Sequence, residues 1–283
     1  MNQLIDLHTH STASDGTLSP KELVKFAKNS GLSAIALCDH DTVAGIPEFM
    51  EAGKRYDVET IPGVEVSAKY DTEMHILGLY VDADNREFRQ VLRELKDSRR
   101  VRNETMLCLV QEHGFEITEE DVTGQKQGGR LENTGRAHIA RAMVEKGYVS
   151  DVQEAFTKYL KRGNPCYVER KTYPPKETIE LIHRAGGLAV LAHPIFITKD
   201  AQKLEELLLW LKEYGLDGVE SYYSEYSSEY RDLCVSLCQR LGLVPTGGSD
   251  FHADNKPHIK IGTVLGGTET IPYSILTGLK QRR

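Results

Sequence analysis

Leu4-Ile5-Asp6-Leu7-His8-Thr9-His10 decides how the rest of the chain is read. It is a short apolar run that ends in two histidines two residues apart. In extended backbone, residues at that spacing point to the same side, so both imidazoles can reach one metal ion. The arrangement recurs along the chain. Ala34–Leu37 is followed by Asp39-His40-Asp41, and the run at Thr60–Val64 by Glu65. Leu188–Ala192 is followed by His193-Pro194, and Leu243–Thr246 by Gly247-Gly248-Ser249-Asp250-Phe251-His252. Asp15 lies in the loop after the first run. A single polar residue at a strand end is commonly a loop-facing group or a satisfied core histidine. Five strand ends carrying His, Asp or Glu are a pattern, because a (β/α) barrel builds its active site past the C-terminal ends of its strands. His75 is different: it precedes the apolar run Ile76–Val81, and the pattern by itself leaves its role open.

Helical segments separate these runs. Ser19-Pro20 predicts a helix start, with Ser as N-cap and Pro in the first turn, and Gly31 its end. A helix is also expected over about Pro47–Tyr56. This rhythm of strand, helix and strand predicts an α/β fold with parallel βα units. It breaks at a charge-rich stretch, about Glu87–His113, that carries Arg93, Arg99, Arg100 and Arg102. Helical segments at about Glu119–Val122, Gly135–Lys146 and Val152–Leu160 follow without a strong strand between them. Residues 98–165 are therefore expected to be a mostly helical insertion between barrel parts 1–97 and 166–283. Alternation resumes with helices at Pro175–Ala185, Ala201–Tyr214 and Ser228–Leu241 and strands at Leu188–Ala192, Gly218–Ser221 and Leu243–Thr246. An arginine run on a helix reads first as a solvated face, though one member could line an RNA path.

Composition narrows the function classes. The 283 residues carry a net charge of −7, with 40% hydrophobic and 27% charged residues. That balance argues against a broad basic nucleic-acid face and against disorder. A mean hydropathy of −0.41 and no apolar run of ~18 residues argue against a spanning helix. No leader peptide is expected at Met1-Asn2-Gln3, and a cytoplasmic location is expected. The five cysteines include no C-x-x-C and read as reduced structural thiols. No serine stands in G-x-S-x-G and no P-loop occurs, so acyl-serine and NTPase readings lose support.

The motif series Asp6-Leu7-His8-Thr9-His10-Ser11, Asp39-His40-Asp41, Pro62-Gly63-Val64-Glu65, Ala192-His193-Pro194 and Gly248-Ser249-Asp250-Phe251-His252 resembles that of the PHP (polymerase and histidinol phosphatase) superfamily. Order and spacing match over nearly the whole chain. Gly135-Arg136-Ala137-His138-Ile139-Ala140 and Ala155-Phe156 are similar to the insertion of the TrpH/YciV-like nucleotide phosphoesterase branch. The resemblance implies a metal-dependent phosphoesterase on a distorted (β/α)7, TIM-like barrel, and a trinuclear site. It implies His8, His10, Glu65 and Asp250 on the first metal, and Glu65, His75 and His193 on the second. Asp15, His40 and His252 would hold the third. Glu65, His193, Asp250 and His252 would carry catalysis. Asp15 stands where some relatives have histidine, which makes the third site more oxygen-rich.

Mixed imidazole and carboxylate donors suit Mn²⁺, Zn²⁺ or Fe²⁺; the resemblance implies three such divalent ions, and Mn²⁺ is expected first. Such ions would hold a phosphate dianion beside an attacking hydroxide bridging two of them. Glu220, Ser249, Asp39 and Asp41 are expected to orient ligand histidines. In the insertion, which would act as a substrate cap, Asn133-Thr134-Gly135-Arg136 predicts a helix start, and free N–H groups there bind anions. Arg136 could add a bidentate phosphate contact, with His138 beside it. The expected substrate is a nucleotide carrying two phosphates, a 3′,5′-bisphosphonucleotide losing its 3′-phosphate. Short 5′-phosphorylated RNA cut from its 5′ end is a related substrate, and no membrane partner is expected. The rivals are a histidinol-phosphate-type phosphatase on the same barrel and a non-catalytic, metal-stabilised module.

Overall fold

The computed structural model describes residues 3–124 and 131–283. The chain separates into two compact units, one of Met1–Leu92 with Thr172–Arg283 and one of Arg93–Lys171.

The first unit is α/β, as the alternation predicted. Its strands are β1 (Leu4–Thr9), β2 (Leu32–Leu37), β3 (Glu59–Ala68), β4 (Met74–Leu79), β5 (Leu188–Leu191), β6 (Gly218–Tyr223), β7 (Val244–Gly248), β8 (Thr263–Val264) and β9 (Glu269–Pro272). They form one sheet in the order β7-β6-β5-β4-β3-β2-β1-β9-β8. The helices α1 (Pro20–Asn29) and α2 (Ile46–Tyr56) connect the first three strands. Ser19 caps α1 in a reciprocal capping box with Glu22, and Pro20 occupies its first turn. The strands bury both faces, as parallel strands covered by helices do. Ile5, Leu7, Ile35, Leu37, Ile61 and Val219 are at most 1% exposed.

One expectation fails. β4 is not part of a parallel unit; it runs antiparallel to both β3 and β5. The cause lies in the connection. Only residues 69–73 join β3 to β4, and a parallel crossover needs about a dozen residues or more. β5, β6 and β7 run parallel to one another. The C-terminal ends of β1, β2, β3, β5, β6 and β7 and the N-terminal end of β4 therefore lie along one edge. Beyond Gly248 the chain returns to the first strand. Thr9 bridges Phe251 in parallel, and the Asp250 N–H donates to the His8 carbonyl at 2.9 Å. Only glycine fits at Gly248, because a Cβ there would lie 2.2 Å from the Cβ of His8.

The long helix α3 (Arg86–Glu112) continues from the first unit into the second. The second unit is helical, with α4 (Glu119–Thr123), α5 (Arg136–Glu145) and α6 (Val152–Ala155), which passes into a π-helical turn at Phe156–Leu160. Its own apolar core gathers Met106, Val110, Ile117, Ile139, Met143 and Leu160. Of the arginines read as a solvated face, Arg99 and Arg102 are only 7% exposed, which corrects that expectation for both. They sit on the packed side of a helix whose other face carries Arg100, paired with Glu104 one turn on. The first unit closes with α7 (Pro175–Arg184), α8 (Ala201–Glu213), α9 (Ser228–Leu241) and α10 (Tyr273–Arg282). Among the described residues no helix is long and apolar enough to cross a membrane.

Candidate metal centre

All nine residues expected to bind metal come together at the strand edge of the first unit. His8 and Glu65 lie within β1 and β3 rather than past them. His75 is the second residue of β4. Its position before an apolar run now has a cause, because the reversed strand brings its beginning to the edge where its neighbours end.

Glu65 is the hub and is 1% exposed. Its Oε1 lies 2.8 Å from His193 Nε2 and 2.8 Å from His75 Nδ1. Its Oε2 lies 2.9 Å from His40 Nδ1, 3.4 Å from His10 Nε2 and 3.5 Å from His8 Nε2. Asp250 Oδ1 is 3.3 Å from His10 Nε2 and 3.8 Å from His8 Nε2. Asp15 gathers the remaining rings, with His252 Nε2 at 3.1 Å, His10 Nδ1 at 3.6 Å and His40 Nε2 at 3.7 Å. Three sets of donor atoms lie within 4.8 Å of one another: His10, Asp15, His40 and His252; His8, His10 and Glu65; and His40, Glu65 and His75.

The donors fit metal ions better than they fit one another. Glu65 Oε2, His40 Nδ1 and His75 Nδ1 are buried and make no hydrogen bond, although each lies within 3 Å of a potential partner. His8 Nε2 and His10 Nε2 face each other at 3.1 Å. Buried polar atoms almost always find partners in hydrogen-bond geometry. Rings and carboxylates that converge without that geometry have lone pairs directed at common points, as ligands of divalent cations do.

The electrostatics follow from burial and crowding. Burial alone would raise the Glu65 carboxyl; the His75, His40 and His8 rings outweigh it and hold the group well below the usual carboxylate range. Asp15 is likewise pushed up by burial and pulled well below its ordinary value by His252 and His40. Asp250 follows the same pattern through Lys256 and His252. Burial and the neighbouring His252 keep His10 well below the ordinary histidine value.

The supporting residues divide by what they hold. Glu220 is fully buried and accepts from His8 Nδ1 at 2.9 Å, and from the His193 backbone N–H at 2.8 Å. That bond places the His8 proton on Nδ1 and leaves Nε2 free as a ligand. Asp39 and Ser249 bond to loop serines and to Asp6 rather than to a ligand imidazole, which corrects the role expected of these two. Asp39 accepts from the Ser11 N–H and from the hydroxyls of Ser11 and Ser14, fixing the loop that carries Asp15. Asp41 accepts from the Ser67 N–H. Ser249 donates to Asp6, which also accepts from the backbones of His8 and Gly262. Asp6 was passed over in the sequence, although a carboxylate inside an apolar run was its signal. The Ser249 N–H donates to it as well, and burial raises the carboxyl to about 6 against these four bonds.

Two further groups were not singled out in the sequence, Tyr223 at the end of β6 and Lys256 on a turn. The Tyr223 hydroxyl donates to Asp250 Oδ2 at 2.9 Å. Lys256 Nζ, on the turn after His252, contacts the same oxygen. The backbone is strained around the cluster. Asp41, His193, Asp250 and Ala253 all have positive φ, at 51°, 26°, 59° and 53°. Such strain persists where the surroundings hold it in place, and it concentrates at functional sites.

In the second unit α5 begins at Arg136, as expected, with extended Gly135 as its N-cap. His138 Nδ1 accepts the Gly135 N–H at 3.1 Å. The Arg136 guanidinium lies 5.6 Å from the Phe156 ring centre and 5.8 Å from that of Tyr167.

Comparison with known proteins bears on this arrangement. The model of the PHP domain family matches residues 6–242. A 5′-3′ exoribonuclease of Haemophilus influenzae is 35% identical over 256 residues, 89% of this chain and 91% of the relative. A 3′,5′-nucleoside bisphosphate phosphatase of Chromobacterium violaceum is 31% identical over 274 residues, 95% of this chain and 92% of the relative. A solved structure described as an amidohydrolase from Chromobacterium violaceum, with sulfate bound, superposes with a TM-score of 0.83 and 30% identity. That likeness covers 98% of this chain and 96% of the other.

Proposed function

The chain belongs to the PHP domain family, and from that premise we propose that it hydrolyses the 3′-phosphate of 3′,5′-bisphosphonucleotides in a metal-dependent reaction. The observation that carries this is the Glu65 cluster, where Glu65 Oε2, His40 Nδ1 and His75 Nδ1 converge buried and without a hydrogen bond. Divalent ions bound there would activate water and bind the phosphate oxygens, the chemistry of multinuclear phosphatases. We assign His8, His10, Glu65 and Asp250 to one ion, Glu65, His75 and His193 to a second, and Asp15, His40 and His252 to a third. Mn²⁺ is the ion we place first, with Zn²⁺ and Fe²⁺ as alternatives. Glu65, His193, Asp250 and His252 carry catalysis as ligands.

The protein's own residues do the positioning. Glu220 holds the His8 tautomer and, through the His193 N–H, the start of the turn after β5. Tyr223 and Lys256 fix one oxygen of Asp250, which leaves the other turned toward His8 and His10. The return of the chain from β7 to β1 supports reading the sheet as a distorted (β/α)7 barrel. We read the helical residues as the substrate cap, with Arg136 on the second phosphate and His138 beside it. The five free cysteines suit a reducing compartment such as the cytoplasm.

A second reading, stepwise cleavage of short 5′-phosphorylated RNA, is supported by the exoribonuclease name of the Haemophilus influenzae relative. One panel tests both. Mn²⁺-loaded protein is given a bisphosphonucleotide, a short 5′-phosphorylated RNA and histidinol phosphate. The bisphosphonucleotide should turn over fastest; preference for histidinol phosphate would reject the proposal. Arg136→Ala should reduce kcat/KM on the bisphosphonucleotide by about tenfold or more, the value of a charge-assisted contact. It should leave simple monophosphates nearly unchanged. Equal losses on both would mean that Arg136 does not read the second phosphate.

A further inference from the structure

Phe196 is an exposed aromatic ring beside the candidate metal centre, in contact with its His193. It is 51% exposed, whereas His193 and Tyr223, the two rings it touches, are buried. Its ring centre lies 5.3 Å from that of His193 and 6.0 Å from that of Tyr223. Both contacts are steep, at interplanar angles of 61° and 86°. Among the described residues no ring stacks parallel on Phe196, so a face is left for a ligand.

Hydrogen bonds fix the backbone that carries the ring. It ends a single 3₁₀ turn, Pro194–Phe196, that begins directly after His193. The Phe196 N–H donates to the His193 carbonyl at 3.2 Å, and the N–H groups of Ile197 and Thr198 donate to the Pro194 carbonyl at 2.9 and 3.0 Å. The Tyr230 hydroxyl then donates to the Thr198 carbonyl at 2.8 Å and ties the turn to α9. The turn that aims His193 at Glu65 thus presents an aromatic plane to solvent. Leaving such a ring wet forgoes burial that the neighbouring Tyr223, 1% exposed, obtains.

We propose that Phe196 is the stacking platform for the base of the nucleotide, and so makes the site selective for nucleoside phosphates over sugar phosphates. The inference rests on the phosphoesterase reading above. A phosphate held between His193 and Asp250 would place the base one sugar ring away, within reach of Phe196. Stacking is tolerant of base identity, because every base has a π-face.

The experiment compares two substrates that differ only in the base: 2′-deoxyadenosine 3′,5′-bisphosphate and its abasic counterpart, 1′,2′-dideoxyribose 3′,5′-bisphosphate. Wild-type protein should prefer the first. Phe196→Ala should lower kcat/KM on it by about 5- to 100-fold, the range found for base–aromatic stacking, with little change on the abasic compound. Phe196→Trp should restore the preference, and Phe196→Leu, which keeps the bulk without the π-face, should not. Equal losses on both compounds, or no loss on either, would overturn the assignment. Wild-type protein that cleaved neither compound would instead overturn the phosphoesterase reading beneath it.

Discussion

The two ends of the same strands use the same residue types to opposite effect. Where β6 begins, Asp217 accepts from His183 Nε2 at 2.8 Å and from the Ala189 N–H at 2.9 Å, with Arg282 Nε at 3.5 Å. Where the strands end, Glu65 meets five histidines, yet its Oε2 and the Nδ1 atoms of His40 and His75 make no hydrogen bond. A carboxylate beside histidine is thus not a site by virtue of its composition. At one end each polar group is satisfied by a donor, and the arrangement is complete as protein. At the other, buried donor atoms crowd a shared space and several of them make no hydrogen bond within the protein. The contrast separates an ion pair that supports a fold from a set of ligands that the fold supports.

Isosteric substitutions at the two ends should break that contrast if it is wrong. Glu65→Gln removes the charge at the hub. Turnover should fall by about three orders of magnitude or more, and bound metal measured by elemental analysis should drop with it. Wild-type rates in this variant would sink the ligand assignment. Added Mn²⁺ should raise the melting temperature of wild-type protein and leave that of Glu65→Gln nearly unmoved.

Glu220→Gln tests the layer behind the ligands. The His8 tautomer loses its anchor while the ligand set stays whole, so metal affinity or activity should fall about 10- to 100-fold. Metal titration followed by activity reads this directly. An unchanged metal affinity and an unchanged rate together would show that Glu220 is a core hydrogen-bond acceptor and nothing more.

Asp217→Asn is the matched change at the opposite end and should have the smallest effect. Metal content and turnover should stay at wild-type levels, while unfolding stability falls by about 1–3 kcal/mol through lost hydrogen bonding. Burial pushes the Asp217 carboxyl up, but the His183 hydrogen bond and the Ala189 N–H hold it below its ordinary 3.8. A depressed carboxyl stabilises the fold at every pH above the unfolded value, and that contribution is lost as pH falls through the lower folded value. Below pH 3.8 the variant's stability should therefore depend less on pH than that of wild type. Lost turnover in Asp217→Asn would erase the distinction between the two ends.

Much of the candidate site was legible because its proposed ligands adjoin apolar runs. His8, His10, His40, Glu65, His193, Asp250 and His252 each follow or end one, and side-chain alternation in a strand is a local property. His75 needed the direction of β4, which depends on a five-residue connection and on pairing with two strands far apart in sequence. Strand direction is tertiary, and a run of apolar residues reads the same either way. The role of Glu220 was half-legible: its place at a strand end was visible, but its distance to His8, 212 residues away, was not. Lys256 and Phe196 lie on turns whose course is set by backbone hydrogen bonds, and turns leave no periodic trace in a sequence. The helix start at Arg136 was legible through N-terminal chemistry, which is again local.

The left-handed residues around the cluster carry a consequence for selection toward heat resistance. At such φ a non-glycine residue costs about 1–2 kcal/mol, whereas glycine adds back about 0.4–1 kcal/mol of unfolded-chain freedom. Ala253 offers only a methyl group, and a directed-evolution screen for thermal tolerance would find Ala253→Gly favourable or neutral. The same exchange at Asp41, His193 or Asp250 would relax an equally strained backbone, but it would delete a ligand or the acceptor for Ser67. Lineages selected for heat resistance and for turnover together should therefore diverge freely at position 253 and stay fixed at the other three.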